Sequence, residues 1–270
     1  MENAPHHNEY AFRNSSNEAP IQLSHLEAFL DPTTIAAFES IEVPSGSACL
    51  ELGAGNGSIA HWLADRVGDD GTVTAIDINP VHIPPRPNLR IMRHDLRQGL
   101  PVAGPFDVIH ARLVLSHIAE RTEILKSLVE LLAPGGWLVV GEFVRDPVQV
   151  ISAANDADAS LYVKVYDATY DGLINLHGAD LRFGFDVFNL MTAAGLASVR
   201  STHFAESWSG DSYAAKFLHS NSFQLEELIR GSGVTAAELD AYRRLVFDPA
   251  LTVKSNLFVN TVGKKPCTSI

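Results

Sequence analysis

The chain has 270 residues, a formal net charge of −12 and 46% hydrophobic residues, enough to bury a substantial core in one large domain or one and a half. Its acidic balance, with no basic stripe, argues against a nucleic-acid partner, because affinity for a phosphate backbone comes from clustered Lys and Arg. Two cysteines, Cys49 and Cys267, make no disulfide framework, no apolar run reaches transmembrane length, and Met1 to Asn8 lacks a secretory apolar segment, so a cytoplasmic protein off the membrane is expected.

In chain order, residues 14–20 read as a polar turn. Residues 21–30 and 33–41 then carry helical spacing of apolar residues, with Asp31-Pro32 as a break and cap. Strands and helices alternate next: strand 47–52, helix 57–67, strand 72–77, strand 89–93, strand 106–111, helix 120–132 and strand 136–142. Such alternation predicts a doubly wound, mostly parallel sheet with helices on both faces. Pro84-Pro85-Arg86-Pro87 leaves little room for a helix after the second strand. Beyond residue 146 the spacing predicts helices over 148–170 and 180–194, a strand over 197–206, helices over 212–230 and 235–246, and a last strand over 257–264. The corresponding partition is an N-terminal helical cap (1–44), a cofactor core (45–146), a helical cap that forms the acceptor pocket (147–195), and the rest of the sheet with an inserted helix pair (196–270).

The most informative stretch is Leu50-Glu51-Leu52-Gly53-Ala54-Gly55-Asn56-Gly57, an acid and alternating glycines where the first strand gives way to a helix. Glycines there open backbone angles closed to other residues and let main-chain N–H groups approach a ligand. The dinucleotide fingerprint G-x-G-x-x-G would need glycine at position 58, which is Ser58. A carboxylate in front of the bend suits a cationic ligand better than a pyrophosphate. About 20 residues on, the second strand ends in Asp77, the position that holds a ribose diol. In open sheets of this kind ligands sit beyond the carboxyl ends of the strands, and Glu51, Asp77, Asp95 and His110 to Arg112 all fall at strand ends.

With "LELGAGNGSIA", "VTAIDINP", "NLRIMRHDL", "PFDVIHARLVLSHI" and "LLAPGGWLVVGEF" in this order, the chain resembles the class I S-adenosylmethionine (SAM) dependent methyltransferases from about residue 45 to 145. That resemblance implies the Rossmann-like methyltransferase fold, with a seven-stranded sheet, N-terminal helices and a helical cap insertion. It implies SAM as cofactor. Glu51 with Gly53, Ala54 and Gly55 would hold the methionyl end, Asp77 with Ile78 the ribose, and Asp95 with Leu96 the adenine. Ala111 and Arg112 would lie along the methionyl tail, with Tyr10 and Arg13 closing over the cofactor. The opening "EYAFRN" and closing "VNTVGKKP" resemble a bacterial, largely actinobacterial branch acting on secondary metabolites or modified peptides.

Methyl transfer from a sulfonium needs alignment above all, and a base only when the acceptor must lose a proton. His177, His117 and His110 are the candidate bases. Tyr166 and Tyr170 share a helical face with Tyr162 and could line an aromatic pocket, while Asn175, Asp180 and Arg182 form a polar stretch beside His177. The bland readings are a satisfied structural His110, an aromatic core stripe, and an N-cap at Asp180. His6-His7 lacks further clustered ligands, so no metal is expected. The expectation is methylation of a small-molecule or peptide acceptor, on oxygen first and on nitrogen or carbon behind it. The rivals are a non-catalytic SAM-binding module and an NAD(P)-linked oxidoreductase. A homodimer is left open.

Overall fold

The computed structural model describes residues 19–267. Tyr10, Phe12 and Arg13 therefore lie outside the described residues. In chain order the elements are α1 (Ala19–Glu39), β1 (Ala48–Leu52), α2 (Ser58–Val67), β2 (Thr72–Asp77), β3 (Leu89–Arg93), β4 (Phe106–Arg112), α3 (Arg121–Leu131) and β5 (Leu132–Val144). There follow β6 (Val150–Ser152), α4 (Asp156–His177), α5 (Phe183–Ala193), β7 (Ala197–Phe204), β8 (Ser207–Ser209), α6 (Tyr213–Gln224), α7 (Glu226–Gly231), α8 (Ala236–Leu245), β9 (Thr252–Lys254) and β10 (Leu257–Lys264).

These elements form two compact units. The first holds Leu30–Val144, Leu181–Phe204 and the described residues from Phe258, and the second holds the described residues up to Phe29 with Arg145–Asp180 and Ala205–Leu257. The first unit carries a seven-stranded sheet in the order β3-β2-β1-β4-β5-β10-β7. Strands β3, β2, β1, β4 and β5 run parallel, and β7 is antiparallel to β10. Order reverses at β1 and β4, which is where such sheets open a crevice at the strand ends.

Alternation along the strands sorts the side chains onto two faces. Leu50, Leu52, Ile109, Ala111 and Leu138 pack with Leu125 of α3 and Phe183, Val187 and Met191 of α5. Cys49, Val73, Ala75, Val108 and Val139 pack with Ile59 and Leu63 of α2 and with Phe38 of α1. Period two thus commits Glu51 and His110 to the α2 face, and the parallel register sets them directly opposite each other.

The second unit carries the antiparallel sheet β6-β9-β8 together with α4, α6, α7 and α8. Tyr162, Tyr166 and Tyr170 of α4 pack there with Trp208 and Tyr242. None of the described helices is long and apolar enough to cross a membrane.

Four local expectations need correction. The chain does not break at Asp31-Pro32, because α1 continues through Pro32. Proline removes the one donor that would serve the Ala28 carbonyl, yet the helix is continuous through it, and two residues on Thr34 Oγ1 donates to the Leu30 carbonyl at 3.1 Å. The helix expected from residue 148 begins at Asp156. Val150 pairs with Val253 in the small sheet, and Asn155 caps the helix by accepting the Asp158 N–H. Residues 212–230 form two helices that meet at Leu225 rather than one. Arg182, not Asp180, stands at the start of α5.

A basic residue after β10 finishes α3. Lys265 Nζ donates to the carbonyls of Val129, Glu130 and Leu132 at 3.0, 3.0 and 2.7 Å. These are carbonyls that a helix end leaves without intrahelical partners, at its negative pole. Replacing Lys265 with Met should lower unfolding stability by roughly 1–3 kcal/mol through loss of charged hydrogen bonds, whereas the exposed Lys126→Met should change little; equal urea midpoints for the two variants would refute the capping role.

Candidate functional site

The bend after β1 is built from three left-handed glycines, Gly53, Gly55 and Gly57, with φ of 66°, 57° and 91°. Two of them are also closed by packing. A Cβ on Gly53 would lie 2.0 Å from Val114 Cγ2, and one on Gly57 2.7 Å from Ile83 Cγ2. The Gly53 and Ala54 N–H groups both donate to the Ile76 carbonyl, at 2.8 and 3.2 Å. The Gly55 N–H donates to Asp77 Oδ2 at 2.9 Å, and the Asn79 N–H to Asp77 Oδ1 at 2.7 Å. The Asp77 carboxylate, 8% exposed, therefore spans the bend and the turn after β2. Burial pushes its pKa up, against the pull of these two N–H groups and of nearby Arg93. Ile78 follows, partly exposed.

At the end of β3, Asp95 accepts hydrogen bonds from the backbone N–H and side chain of Arg97, and the Arg97 side chain holds its carboxyl below the usual range. Leu96 is buried in the core. Under the bend, His110 Nδ1–H donates to Glu51 Oε2 at 2.6 Å, both residues being almost sealed from solvent. Phe38 meets the His110 ring edge-on with centroids 5.0 Å apart. His110 Nε2 has no hydrogen-bond partner among the described residues. At the end of β4, Ala111 is buried and Arg112 Nη1 donates to Asp31 Oδ1 at 2.8 Å and to Thr34 Oγ1 at 3.0 Å. Ser58 Oγ reaches the same Asp31 oxygen at 3.2 Å. The acid expected to stop α1 instead ties α1 to the start of α2 and to the end of β4.

One residue of this region went unnoticed in the sequence. Glu142, near the end of β5, is 0% exposed. Its Oε1 accepts the N–H groups of Val114, Leu115 and Ser116 at 3.3, 2.8 and 3.2 Å, and its Oε2 accepts the Ser116 hydroxyl at 2.8 Å. Burial raises its pKa to about 7, the four donors opposing the shift. The signal was present: one acid inside the apolar run "LVVGEFV", a setting in which charge is rarely buried without partners.

The remaining candidates are dispersed. His117 is half-buried in a turn, Leu115–His117, next to the Glu142 contacts. In the second unit His177 is the last residue of α4, Asn175 is exposed, and Gly178 ends the helix in a left-handed conformation. Asp180 lies in the loop that follows, and Arg182 is exposed in the first unit. Tyr166 and Tyr170, nominated for an acceptor pocket, are 7% and 9% exposed with ring centroids 4.6 Å apart. The Tyr166 hydroxyl donates to the Asp146 carbonyl at 3.3 Å, and that of Tyr170 accepts from Asn256 Nδ2. The structure thus gathers Glu51, Gly53–Gly55, Asp77, His110 and Arg112 in the first unit, with Asp95 one strand further out.

Residues 23–230 match the methyltransferase-domain family. The chain belongs to that family. Its sheet is the Rossmann-like one of SAM-dependent methyltransferases. This methyltransferase domain is 42% identical over 95 residues to methyltransferase str2 of Strobilurus tenacellus, and 33% identical over 154 residues to methyltransferase str3 of the same organism. The two matches cover 34% and 55% of this chain, and 34% and 52% of those relatives, so the chain spans about a third to a half of their length. Both relatives are fungal, so the actinobacterial branch implied by the two ends of the chain is not supported. Among solved structures, Haemonchus contortus phosphoethanolamine N-methyltransferase 2, in complex with S-adenosylhomocysteine, superposes with a TM-score of 0.56 at 11% identity, over 94% of this chain and 59% of that one.

Two outcomes are expected from this geometry. Gly53→Ala should destabilise the fold by roughly 2 kcal/mol or more, since it combines a left-handed backbone with a clash against Val114; a calorimetric melting temperature equal to wild type would refute the tight bend. Glu142 gives a pH signature. Its folded-state pKa lies above the ordinary 4.5, so the stability it contributes is fully present below pH 4.5 and is lost as pH rises through about 7. Relative to Glu142→Gln, the wild type should lose on the order of 3 kcal/mol across that window. Urea denaturation of both proteins at pH 5 and pH 8 checks this, and parallel pH profiles would exclude the shift.

Proposed function

We propose that this methyltransferase domain transfers the methyl group of SAM to a small-molecule natural product or a modified peptide, with oxygen as the acceptor atom. The observation that carries the reading is the bend itself: left-handed glycines framed by Glu51 and Asp77 at the ends of adjacent strands. Those residues fit the donor. Carboxylates suit an ammonium group and a ribose diol, and no Lys or Arg occurs between Leu50 and Asp65 to hold a pyrophosphate. Glu51 with Gly53, Ala54 and Gly55 would hold the methionyl end, Asp77 and Ile78 the ribose, Asp95 and Leu96 the adenine, and Ala111 with Arg112 the tail.

SAM supplies a methyl group already activated on a sulfonium. The chain's own contribution is then to hold nucleophile and methyl in line and to keep water out, which accounts for roughly 7–11 kcal/mol in well-aligned systems. A hydroxyl acceptor must also lose its proton. His110 is buried and spends Nδ1 on Glu51, so His117 and His177 are the bases this reading favours, a role worth roughly 10²–10⁴-fold. Oxygen leads nitrogen because the position of the nitrogen-methylating motif Asn/Asp-Pro-Pro-Tyr reads His110-Ala111-Arg112-Leu113. The Haemonchus structure, solved with S-adenosylhomocysteine, supports the choice of donor.

Calorimetric titration with SAM, S-adenosylhomocysteine and NAD tests the reading, and binding of NAD alone would overturn it. Asp77→Ala should weaken SAM by roughly 1–3 kcal/mol through loss of charged hydrogen bonds, and an unchanged affinity would remove Asp77 from the donor site. His177→Ala should slow transfer of radiolabelled methyl into a metabolite extract while SAM affinity holds; an unaltered rate would leave His117 as the base.

A further inference from the structure

Downstream of β4 the backbone makes an abrupt change of direction. Leu113, which is not glycine, adopts φ of 56°. Such a conformation persists only where the surroundings impose it. Its N–H is tied to the Gly141 carbonyl at 2.8 Å. The next three N–H groups, of Val114, Leu115 and Ser116, then converge on one oxygen of Glu142, and the Ser116 hydroxyl takes the other. Above this contact α5 comes close, for a Cβ on Gly184 would lie 2.7 Å from Val144 Cγ2 and 3.3 Å from Glu142 Cβ.

The cost of this arrangement is a carboxylate sealed inside a core strand, where an apolar residue of similar volume would pack without a desolvation penalty. What the carboxylate gains is position. With residues 113–116 clamped, Val114 sits against the bend, its Cγ2 in the space that a Gly53 side chain would need. Gly53 is the residue whose N–H shares the Ile76 carbonyl with Ala54, two residues before the Gly55 contact with Asp77. A continuous set of contacts therefore runs from Glu142 through Val114 to the bend.

Resting on the reading of the bend as a SAM site, we propose that Glu142 is a positioning residue for donor binding, acting through Val114 on Gly53. The clamp is geometric. Gln in its place keeps one carbonyl oxygen for the three N–H groups and an amide N–H for the Ser116 oxygen, whereas Ala leaves four donors without an acceptor.

The test combines amide hydrogen exchange with calorimetry on the full chain, using SAM and S-adenosylhomocysteine as probes. Glu142→Ala should speed exchange at residues 113–117 and also at 53–55, weaken SAM by about tenfold, and raise KM for SAM more than it lowers kcat. Glu142→Gln should restore exchange and affinity to about threefold of wild type or better. Val114→Ala leaves the clamp intact and should still loosen 53–55, which keeps the inference testable if Glu142→Ala does not fold. Exchange at 53–55 that follows wild type in Glu142→Ala or Val114→Ala, or a Gln variant no better than Ala, would overturn it. Should wild type bind neither probe, the SAM reading fails, while the exchange pattern still decides whether Glu142 governs the bend.

Discussion

A bend made of three left-handed glycines has no side chains to hold its shape, so its geometry has to be imposed from outside. Asp77 does this by accepting the Gly55 N–H at 2.9 Å. The contact exists because β1 and β2 run parallel with Leu52 opposite Ile76, which sets the acid that ends β2 beside the bend that ends β1. The Ile76 carbonyl takes the two preceding N–H groups from the same side. One strand end therefore shapes its neighbour. Each Asp77 oxygen receives one backbone N–H, which leaves each oxygen further acceptor capacity.

The same sheet handles two other acids by different means. Strand alternation sends Glu51 to the α2 face, where the parallel register supplies the His110 ring as donor. Glu142 has no such side chain beside it and collects three consecutive backbone N–H groups and a hydroxyl instead. A buried carboxylate stabilises a fold only when its oxygens are satisfied, and removing a partner costs more than the pair contributes. Both acids are thus constraints on where the chain may go. Glu51 locks β1 to β4, and Glu142 dictates the path taken after β4. One acid acts between β1 and β4, and the other between β5 and the segment that follows β4.

Much of this was legible in the residues because the period of two and the glycine spacing are local signals. The seven strands, the bend, and the short crossover after β2, which holds only a three-residue 3-10 turn (Pro80–His82) before Pro84-Pro85-Arg86-Pro87, follow from patterns within a few positions. What stayed hidden depended on distant partners. Asp31-Pro32 reads as a stop, but α1 runs on, with Thr34 serving the Leu30 carbonyl and Arg112 engaging Asp31 from β4. Residues 150–152 carry apolar spacing that reads as helix, and only pairing with β9 makes them a strand. Glu142 is visible as an acid in an apolar run, yet its partners lie 26 to 28 residues away and offer backbone rather than side chain.

Burial shapes the chemistry of the tyrosine stripe of α4. Tyr162, Tyr166 and Tyr170 recur on one helical face, and with Tyr242 and Trp208 they close an aromatic core in the second unit. Burial pushes the Tyr166 hydroxyl up to about 12, offset in part by Arg145, and raises Tyr162 and Tyr170 well above their ordinary value. A phenol so placed remains neutral near physiological pH and serves as a hydrogen-bonding group, as Tyr166 does toward the Asp146 carbonyl. It cannot take up an acceptor's proton. In a transfer whose donor is already activated, proton removal is the one chemical task left to a side chain, and histidine is the residue whose ordinary pKa suits it. The aromatic face of α4 thus secures the second unit, and its hydroxyls hold that core together as hydrogen-bonding groups and not as bases.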